Sequence, residues 1–465
     1  MEIMNEIYLW KSPDGDMFAD VPTYEGIIKT MSLAPGGPFY AWLDQETRTK
    51  TGNIQSNMSL QALFRAICAE CLLHGDTLDP KLRINGDMHD IWIDMCSAGG
   101  NVIHVTRDGW TIENCAPCKF LRGRGGLPLP VPDGGDDLFE LLSPFIHTRT
   151  SDDLLLIVSW LIGTLNPKGP YPVLIVTGEQ GSAKSTTMKV LQELIDPHTK
   201  GLRSPFKSER DLAAAVWNSY VLAFDNMSYL KGELSDALCG ISTGTRSLGG
   251  RRLYSDKDEA GFLVARPIML NGIPDFVERG DLLDRAIQLD LPRLSSYRAD
   301  NAFWSEFRSA QPRILGALLD LVSRAMRYYD TVDNKGLPRM SNFCQWVMAA
   351  LNGRREEFLE VFTKNRSEAR KGLLDYSITA DAIKSLLIDK NPWYGTIKDL
   401  SSDLIMYKNG CAGDLPKTWQ GLAAELKRIA PSLREVGIHY HDNGRAWVRG
   451  AERGKHMIEL RMTDE

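Results

Sequence analysis

The chain has 465 residues, enough for about three domains. Apolar residues at 43% and charged residues at 25% are ordinary for a globular protein, and the longest apolar run, 154–165, is too short and too broken by Ser159, Trp160 and Gly163 to cross a membrane. A net charge of −6 excludes a surface that is basic throughout, so any contact with nucleic acid must be local.

The first residues lack the basic, apolar and small-residue order of an export signal, and the expected location is the cytoplasm. Eight cysteines then read as thiols. Cys68 with Cys71, and Cys115 with Cys118, have the spacing of zinc ligands. The first pair lies in a helical pattern and reads as small core residues. No histidine pair follows the second, and nothing below depends on zinc.

Residues 1–124 are expected to form an α+β domain. Asp14-Gly15 predicts a hairpin between 7–10 and 17–21. A helix is expected over 60–73. Strands at 90–94 and 101–106, joined by a turn at 97–100, predict a small β unit over 82–130. Asp87, Asp90 and Asp94 admit two readings: a carboxylate set for metal, as in a polymerase, or alternate strand positions facing solvent. The second is favoured, because no other part of a primase site is visible. The Gly- and Pro-rich stretch 125–135 reads as a linker, and helices at 136–146 and 152–165 follow.

The chain is organised around 172–192. An apolar, β-branched run, 172–177, predicts a buried parallel strand. Gly178-Glu179-Gln180-Gly181-Ser182-Ala183-Lys184-Ser185-Thr186 comes next, and a helical pattern follows. This is one residue from the P-loop pattern, with Ala183 where a glycine is expected. Phosphates need many N–H donors converging on one point. Glycines let the backbone approach, and the following helix aims its unpaired N–H groups and positive end at the same place. On this reading residues 178–186 bind the nucleotide, Lys184 reaches its outer phosphates and Ser185 ligates Mg²⁺.

A second strand is expected at 218–226, ending in Asp225-Asn226 and placing Asp225 41 residues beyond Lys184. That carboxylate would hold Mg²⁺ through water. The basic, Gly-rich stretch 242–254 carries Arg246, Arg251 and Arg252, either as a hairpin aimed at a phosphate backbone or as a solvated loop. A third strand, 266–272, ends at Asn271, and Arg285 follows. Arg285 admits a plain salt bridge or a reach to a neighbouring subunit's γ-phosphate. Helices are expected through 302–365.

The last hundred residues hold 16 Lys and Arg against 14 Asp and Glu, and form a locally basic module. Helices at 378–387, 400–407 and 418–429, then a hairpin of 438–441 and 446–449 about Asp442-Asn443-Gly444, predict a winged helix. Its third helix turns Leu422, Leu426 and Ile429 inward and Gln420, Lys427 and Arg428 outward, with Arg445 and Arg449 on the wing. Binding to DNA or to protein both fit that order.

The ordered set of Gly178–Thr186, Asp225-Asn226, the arginine-rich segment, Asn271-Gly272 and Asp284-Arg285 resembles the AAA+ core of superfamily 3-type helicases. The likeness is to the replication ATPases and primase-helicases of bacteriophages and mobile elements. The resemblance implies an α/β fold: a P-loop AAA+ parallel-sheet core over 136–300, a small N-terminal α+β domain over 1–124, a linker at 125–135, a helical lid over 301–365 and a C-terminal winged helix over 366–465. It implies an ATP hydrolase that uses ATP and Mg²⁺, with Ser185 and Asp225 at the metal and Asn271 sensing the γ-phosphate. Arg285 is implied as a finger in the adjacent subunit of a ring, a hexamer. Arg246, Arg251 and Arg252 fall where such helicases place a DNA-tracking hairpin, and Lys427 and Arg428 are candidates for further DNA contacts. One departure stands out: many relatives carry a second acid where this chain has Asn226, and an amide positions water but is a poor base.

Three functions are open at this point. One is a helicase or translocase motor on single-stranded or forked DNA, with a primase as a partner and no membrane. Another is a nucleotide-switched loader or initiator that does not unwind. The third is a P-loop regulator whose winged helix docks a protein.

Overall fold

The computed structural model describes residues 3–23, 27–245, 247–251, 259–273, 276–277, 279–375, 377–407, 415–445 and 456–463. The hairpin at Asp14-Gly15 joins Tyr8–Lys11 to Met17–Pro22, with Gly15 at φ 81. These strands and Ile28–Ser32 form a small sheet, on which helices Pro38–Thr51 and Asn57–His74 pack. The unit has its own core, in which Phe39 and Leu43 are fully buried.

The β unit that follows belongs to a different core. Its strands Ile84–Gly86, Ile91–Asp94, Val102–Thr106 and Gly109–Glu113 form an antiparallel meander. Ile91, Ile103 and Val105 share one continuous core with helices Ser151–Thr164, Lys184–Ile195 and Asp300–Tyr328. A buried ion pair ties the two parts together. Arg83 lies 2.9 Å from Asp196 and also donates to the Asp94 and Leu127 carbonyls. The β unit thus shares a core with the parallel-sheet part across the expected linker at 125–135. The Gly- and Pro-rich stretch carries no helix or strand, yet it is strapped down: the Asp133 N–H donates to the Pro312 carbonyl. A Cβ at Gly316 would lie 1.9 Å from the Asp133 carbonyl oxygen, so only glycine permits the approach.

The middle of the chain is a parallel sheet in the order Leu222–Met227, Ile268–Gly272, Val173–Thr177, Ala286–Asp290. Val173–Thr177 is buried along its whole length, as its unbroken apolar run requires of a central parallel strand. Leu174 and Val176 face the helix Lys184–Ile195, while Val173 and Ile175 join a second core with Gly232–Thr243. Thr150 and Asp153 close a capping box that starts Ser151–Thr164. No helix among the described residues is long and apolar enough to cross a membrane.

Helices Asp300–Tyr328, Ser341–Ala350 and Arg355–Asp375 follow. The last runs ten residues past the expected lid boundary at 365, because Ala369 and Leu373 still pack on the second core. The C-terminal unit runs helix Ile378–Asp389, strand Trp393–Thr396, helices Ile397–Met406 and Trp419–Arg434, and strands Ile438–Arg445 and His456–Met462. Its sheet order is 393–396, 456–462, 438–445. The expected turn at 442–444 is corrected: these residues continue the strand, and its partner is 456–462. Buried Ile458 and Leu460 select that pairing over the local Asn-Gly signal. Arg449 and the rest of 446–455 lie outside the described residues.

Candidate nucleotide site

The loop 178–183 leaves the C-terminal end of Val173–Thr177 and enters Lys184–Ile195. Its two glycines are held by backbone conformation, and Gly178 also by space. A Cβ at Gly178 (φ 142) would meet the Leu291 carbonyl oxygen at 2.6 Å, and one at Gly181 (φ 84) would meet the Tyr297 hydroxyl at 2.6 Å. Ala183, the N-cap, takes φ 61 and ψ 24, a left-handed conformation that glycine adopts freely. No side chain caps this helix. Its first N–H groups therefore stay available to a ligand.

Lys184 folds back over the loop, donating to the Gly178 and Glu179 carbonyls at 2.7 and 2.8 Å. Burial pulls its ammonium below the ordinary lysine value, against the opposing charges of Asp225 and Asp290. Ser185 Oγ donates to Asp225 Oδ1 at 2.8 Å. Glu179 and Gln180 are exposed, Ser182 is buried and Thr186 is half-buried.

Asn271 ends the neighbouring strand and is buried. Its Oδ1 accepts the Asn226 N–H at 2.7 Å. That donor fixes which side-chain atom is the oxygen, so Nδ2 is the group left over, and it has no hydrogen-bond partner. A buried donor left unpaired costs about 1–3 kcal/mol, which an entering acceptor recovers. Asn226 itself is exposed at φ 61, where the strand shifts register between Phe224 and Met227. Asparagine tolerates that conformation better than most side chains.

Lys184, Ser185, Asp225, Asn226 and Asn271 thus come together at one end of the sheet. Arg285 does not join them. Its carbonyl accepts the N–H of Val173, the first residue of the strand that leads into the loop. Five residues of strand separate the two ends, roughly 16 Å. Its guanidinium is held by Asp281 at 2.7 Å. Of the DNA candidates, Arg246 and Arg252 lie outside the described residues, as does the side chain of Arg251. The backbone there pairs Ser247–Arg251 with Glu259–Leu263. Lys427 and Arg428 are both exposed, and Arg428 also lines a cleft shared with the core.

That cleft, ≈ 880 Å³, is the feature sequence reasoning missed. It runs beside the sheet edge and is lined by Arg149, Thr150, Thr177, Asp290, Lys364 and Arg428, among others. Arg149 pairs with Asp290, which also accepts from Thr177 at 3.3 Å. Only the capping residue Thr150 carried a local signal. Tyr297, lying over Gly181, had none.

The Ser185–Asp225 pair fits Mg²⁺, which binds through few protein oxygens and takes phosphate and water for the rest. For zinc the residues do not converge: Cys71 is buried in the N-terminal core and Cys115 is exposed. Among the described residues no three His, Cys, Asp or Glu side chains are grouped to hold a metal. Asp87 accepts the His89 N–H, Asp90 pairs with His104 and Asp94 pairs with Arg122, so these aspartates serve turns and ion pairs.

The family model of the actinomycete integrative conjugative element replication protein matches residues 137–357, and that of the AICE RepA C-terminal domain matches 379–465. No curated protein matches the sequence. Among solved structures, the apo C-terminal region of NrS-1 is 12% identical, with 99% of this chain and 98% of that one covered, at a TM-score of 0.43. JCV helicase in complex with a thiazolopyridine compound is 12% identical, with 54% and 64% covered, at a TM-score of 0.27. The two models describe parts of one kind of protein, a replication protein of actinomycete integrative conjugative elements, and the chain is similar to them over these two stretches, on either side of residues 358–378.

Proposed function

We propose that the chain is an Mg²⁺-dependent ATP hydrolase that drives a DNA motor in mobile-element replication, working as a ring of identical subunits on single-stranded or forked DNA. One observation carries the reading. The uncapped start of the helix Lys184–Ile195, the Ser185–Asp225 pair and the unpaired Nδ2 of buried Asn271 converge at one end of a parallel sheet. Such a set suits a triphosphate better than any neutral ligand.

On this reading Lys184 exchanges the loop carbonyls for phosphate oxygens. Ser185 and Asp225 hold Mg²⁺, which supplies positive charge against the phosphates. Asn271 donates Nδ2 to the γ-phosphate or to the attacking water. The base and ribose enter the cleft beside Thr177 and Asp290. Arg285 is too far from its own loop to act there, and so it serves a neighbouring copy. The C-terminal order of helix, strand, helix, helix, strand and strand is that of a winged helix, and exposed Lys427 suits a phosphate contact.

A second reading, a nucleotide-switched loader, is favoured by Asn226. An amide there is a poor base, and slow hydrolysis suits a switch. One experiment separates the two: ATP binding, ATP turnover and displacement of a forked duplex, measured with and without single-stranded DNA. Lys184→Met is expected to abolish ATP binding. Asn271→Ala is expected to keep binding and lower turnover by about 10²-fold, as loss of one aimed donor does elsewhere. Unchanged ATP affinity in Lys184→Met would refute the site. An ATP-dependent oligomer without strand displacement would select the loader.

A further inference from the structure

Arg285 is the end of a chain of alternating charges that crosses the molecule. Asp281, on the short helix Gly280–Leu283, holds it at 2.7 Å. Arg339 reaches both Asp281, at 3.1 Å, and Asp284, at 3.4 Å. Arg370, on the helix Arg355–Asp375, donates Nε to Asp284 at 2.6 Å and Nη1 to Glu435 at 2.5 Å. The second oxygen of Glu435 accepts from Ser367 at 2.7 Å. Glu435 is the C-cap of Trp419–Arg434, the third helix of the C-terminal unit. Six side chains from four separate stretches therefore link that unit to Arg285.

The charge count gives the link a direction. Four arginines crowd here, because buried Arg366 lies close to Arg370 and Asp284 and its Nε has no partner. Against them stand three carboxylates, Asp281, Asp284 and Glu435. With Glu435 in place, Arg370 is shared, and Arg339 divides itself between Asp284 and Asp281, the carboxylate that also holds Arg285. Without Glu435, Arg370 turns wholly to Asp284. Arg339 then loses its hold on Asp284, turns wholly to Asp281 and competes more strongly with Arg285 for it. The seated C-terminal unit thus keeps Arg285 retracted, and its departure loosens Arg285.

The placement of the third helix agrees. Glu425, Arg428 and Ile429 line the cleft on the core side, so this face of the helix is turned inward in the seated state. We infer that seating of the C-terminal unit through Glu435 and Arg370 restrains Arg285, and that unseating, by DNA on that unit, releases Arg285 toward a neighbouring subunit's nucleotide. This rests on the proposed ATPase reading. Glu435, Arg370 and Arg339 act as positioning residues, since none touches the nucleotide.

The test is Glu435→Gln in the full chain, which keeps the shape and removes the charge. The pairs are partly exposed, so their loss changes stability little, and melting should stay near the wild type. Without DNA, kcat for ATP is expected to rise by at least about fivefold with KM unchanged, the lower end of coupling between sites. Stimulation by a single-stranded oligonucleotide should shrink, Glu435→Asp should restore the wild-type pattern, and adding Arg285→Ala should cancel the gain. An unchanged or lower kcat with DNA stimulation intact overturns the inference. A readout independent of hydrolysis is amide exchange over 280–290, expected to be faster in Glu435→Gln. Unchanged exchange overturns the restraint even if ATP is never hydrolysed. Absence of ATP binding in the wild type would instead refute the ATPase reading.

Discussion

Ala183→Gly is the sharpest probe of the loop, because its effect follows from one backbone conformation. Ala183 sits at φ 61 and ψ 24 as the N-cap of Lys184–Ile195. A residue with a Cβ takes the left-handed conformation at a cost of about 1–2 kcal/mol. Glycine removes that cost but gives the unfolded chain more freedom, a loss of about 0.4–1 kcal/mol. The net expectation is a gain of roughly 0.5–1 kcal/mol in the stability of the core. No phosphate contact changes, because the N–H that faces the ligand belongs to the backbone in either variant. ATP affinity should therefore stay within about twofold, well under the tenfold that 1.4 kcal/mol would bring. Urea unfolding with an ATP titration measures both quantities. A loss of stability would mean that residue 183 does not hold a left-handed conformation. A large change in affinity would mean that the loop is rebuilt when nucleotide binds.

Two further outcomes follow from ion pairs elsewhere. Arg83→Met leaves Asp196 buried without its cation. Breaking such a pair costs about 3–5 kcal/mol. Both side chains are almost wholly shielded, at 2% and 6% exposure, so little screening reduces the effect. Urea unfolding should show the β unit and the parallel-sheet core losing stability together. Independent unfolding of residues 82–130 in the wild type would count against a shared core. The second outcome concerns pH. Burial pushes the Glu435 carboxyl up, but the Ser367 hydroxyl and the Arg370 guanidinium outweigh it and hold the group below its ordinary range. A depressed folded value stabilises the seated state above the ordinary glutamate range, near about 4.3, and the stabilisation is lost as pH falls through the folded value. The ratio of amide-exchange rates over 280–290 between Glu435→Gln and wild type should therefore be full at pH 7 and fall to one in acid. A ratio that persists unchanged at pH 3 would rule out the charge as its source.

What could be read in advance depended on whether the decisive partners lay nearby in sequence or on one repeating element. The 178–186 loop was legible because strand, turn and helix follow one another without interruption, and steric limits dictate the glycines. That Asp225 meets Ser185 follows from strand polarity in a parallel sheet, which brings the strand ends to one edge. By contrast, Gly- and Pro-rich composition does not distinguish a free spacer from a strap. One of the contacts that fasten 125–135 depends on Gly316, nearly two hundred residues away, whose missing side chain admits the Asp133 backbone. The Asn-Gly turn signal at 443–444 was overridden for a similar reason. A local turn preference is small beside burial of Ile458 and Leu460 against Tyr440 and its neighbours across the sheet.

The same separation explains why Arg285 had two open readings. Its nearest acid, Asp281, is four residues away and was visible as an ordinary helix pair. Arg339, Arg370 and Glu435 lie 54, 85 and 150 residues further along the chain. They turn that ordinary pair into the end of a relay, and a salt bridge and a reach toward a neighbour then become two states of one side chain. A guanidinium that must leave a carboxylate before it reaches a phosphate is controlled by whatever competes for that carboxylate. Here the competitor is Arg339, and the group that occupies Arg339's other partner is set by Glu435. The restraint on Arg285 is therefore a property of how the C-terminal unit sits, and a chain cut after Asp375 should lose it while keeping the loop, Asp225 and Asn271 intact.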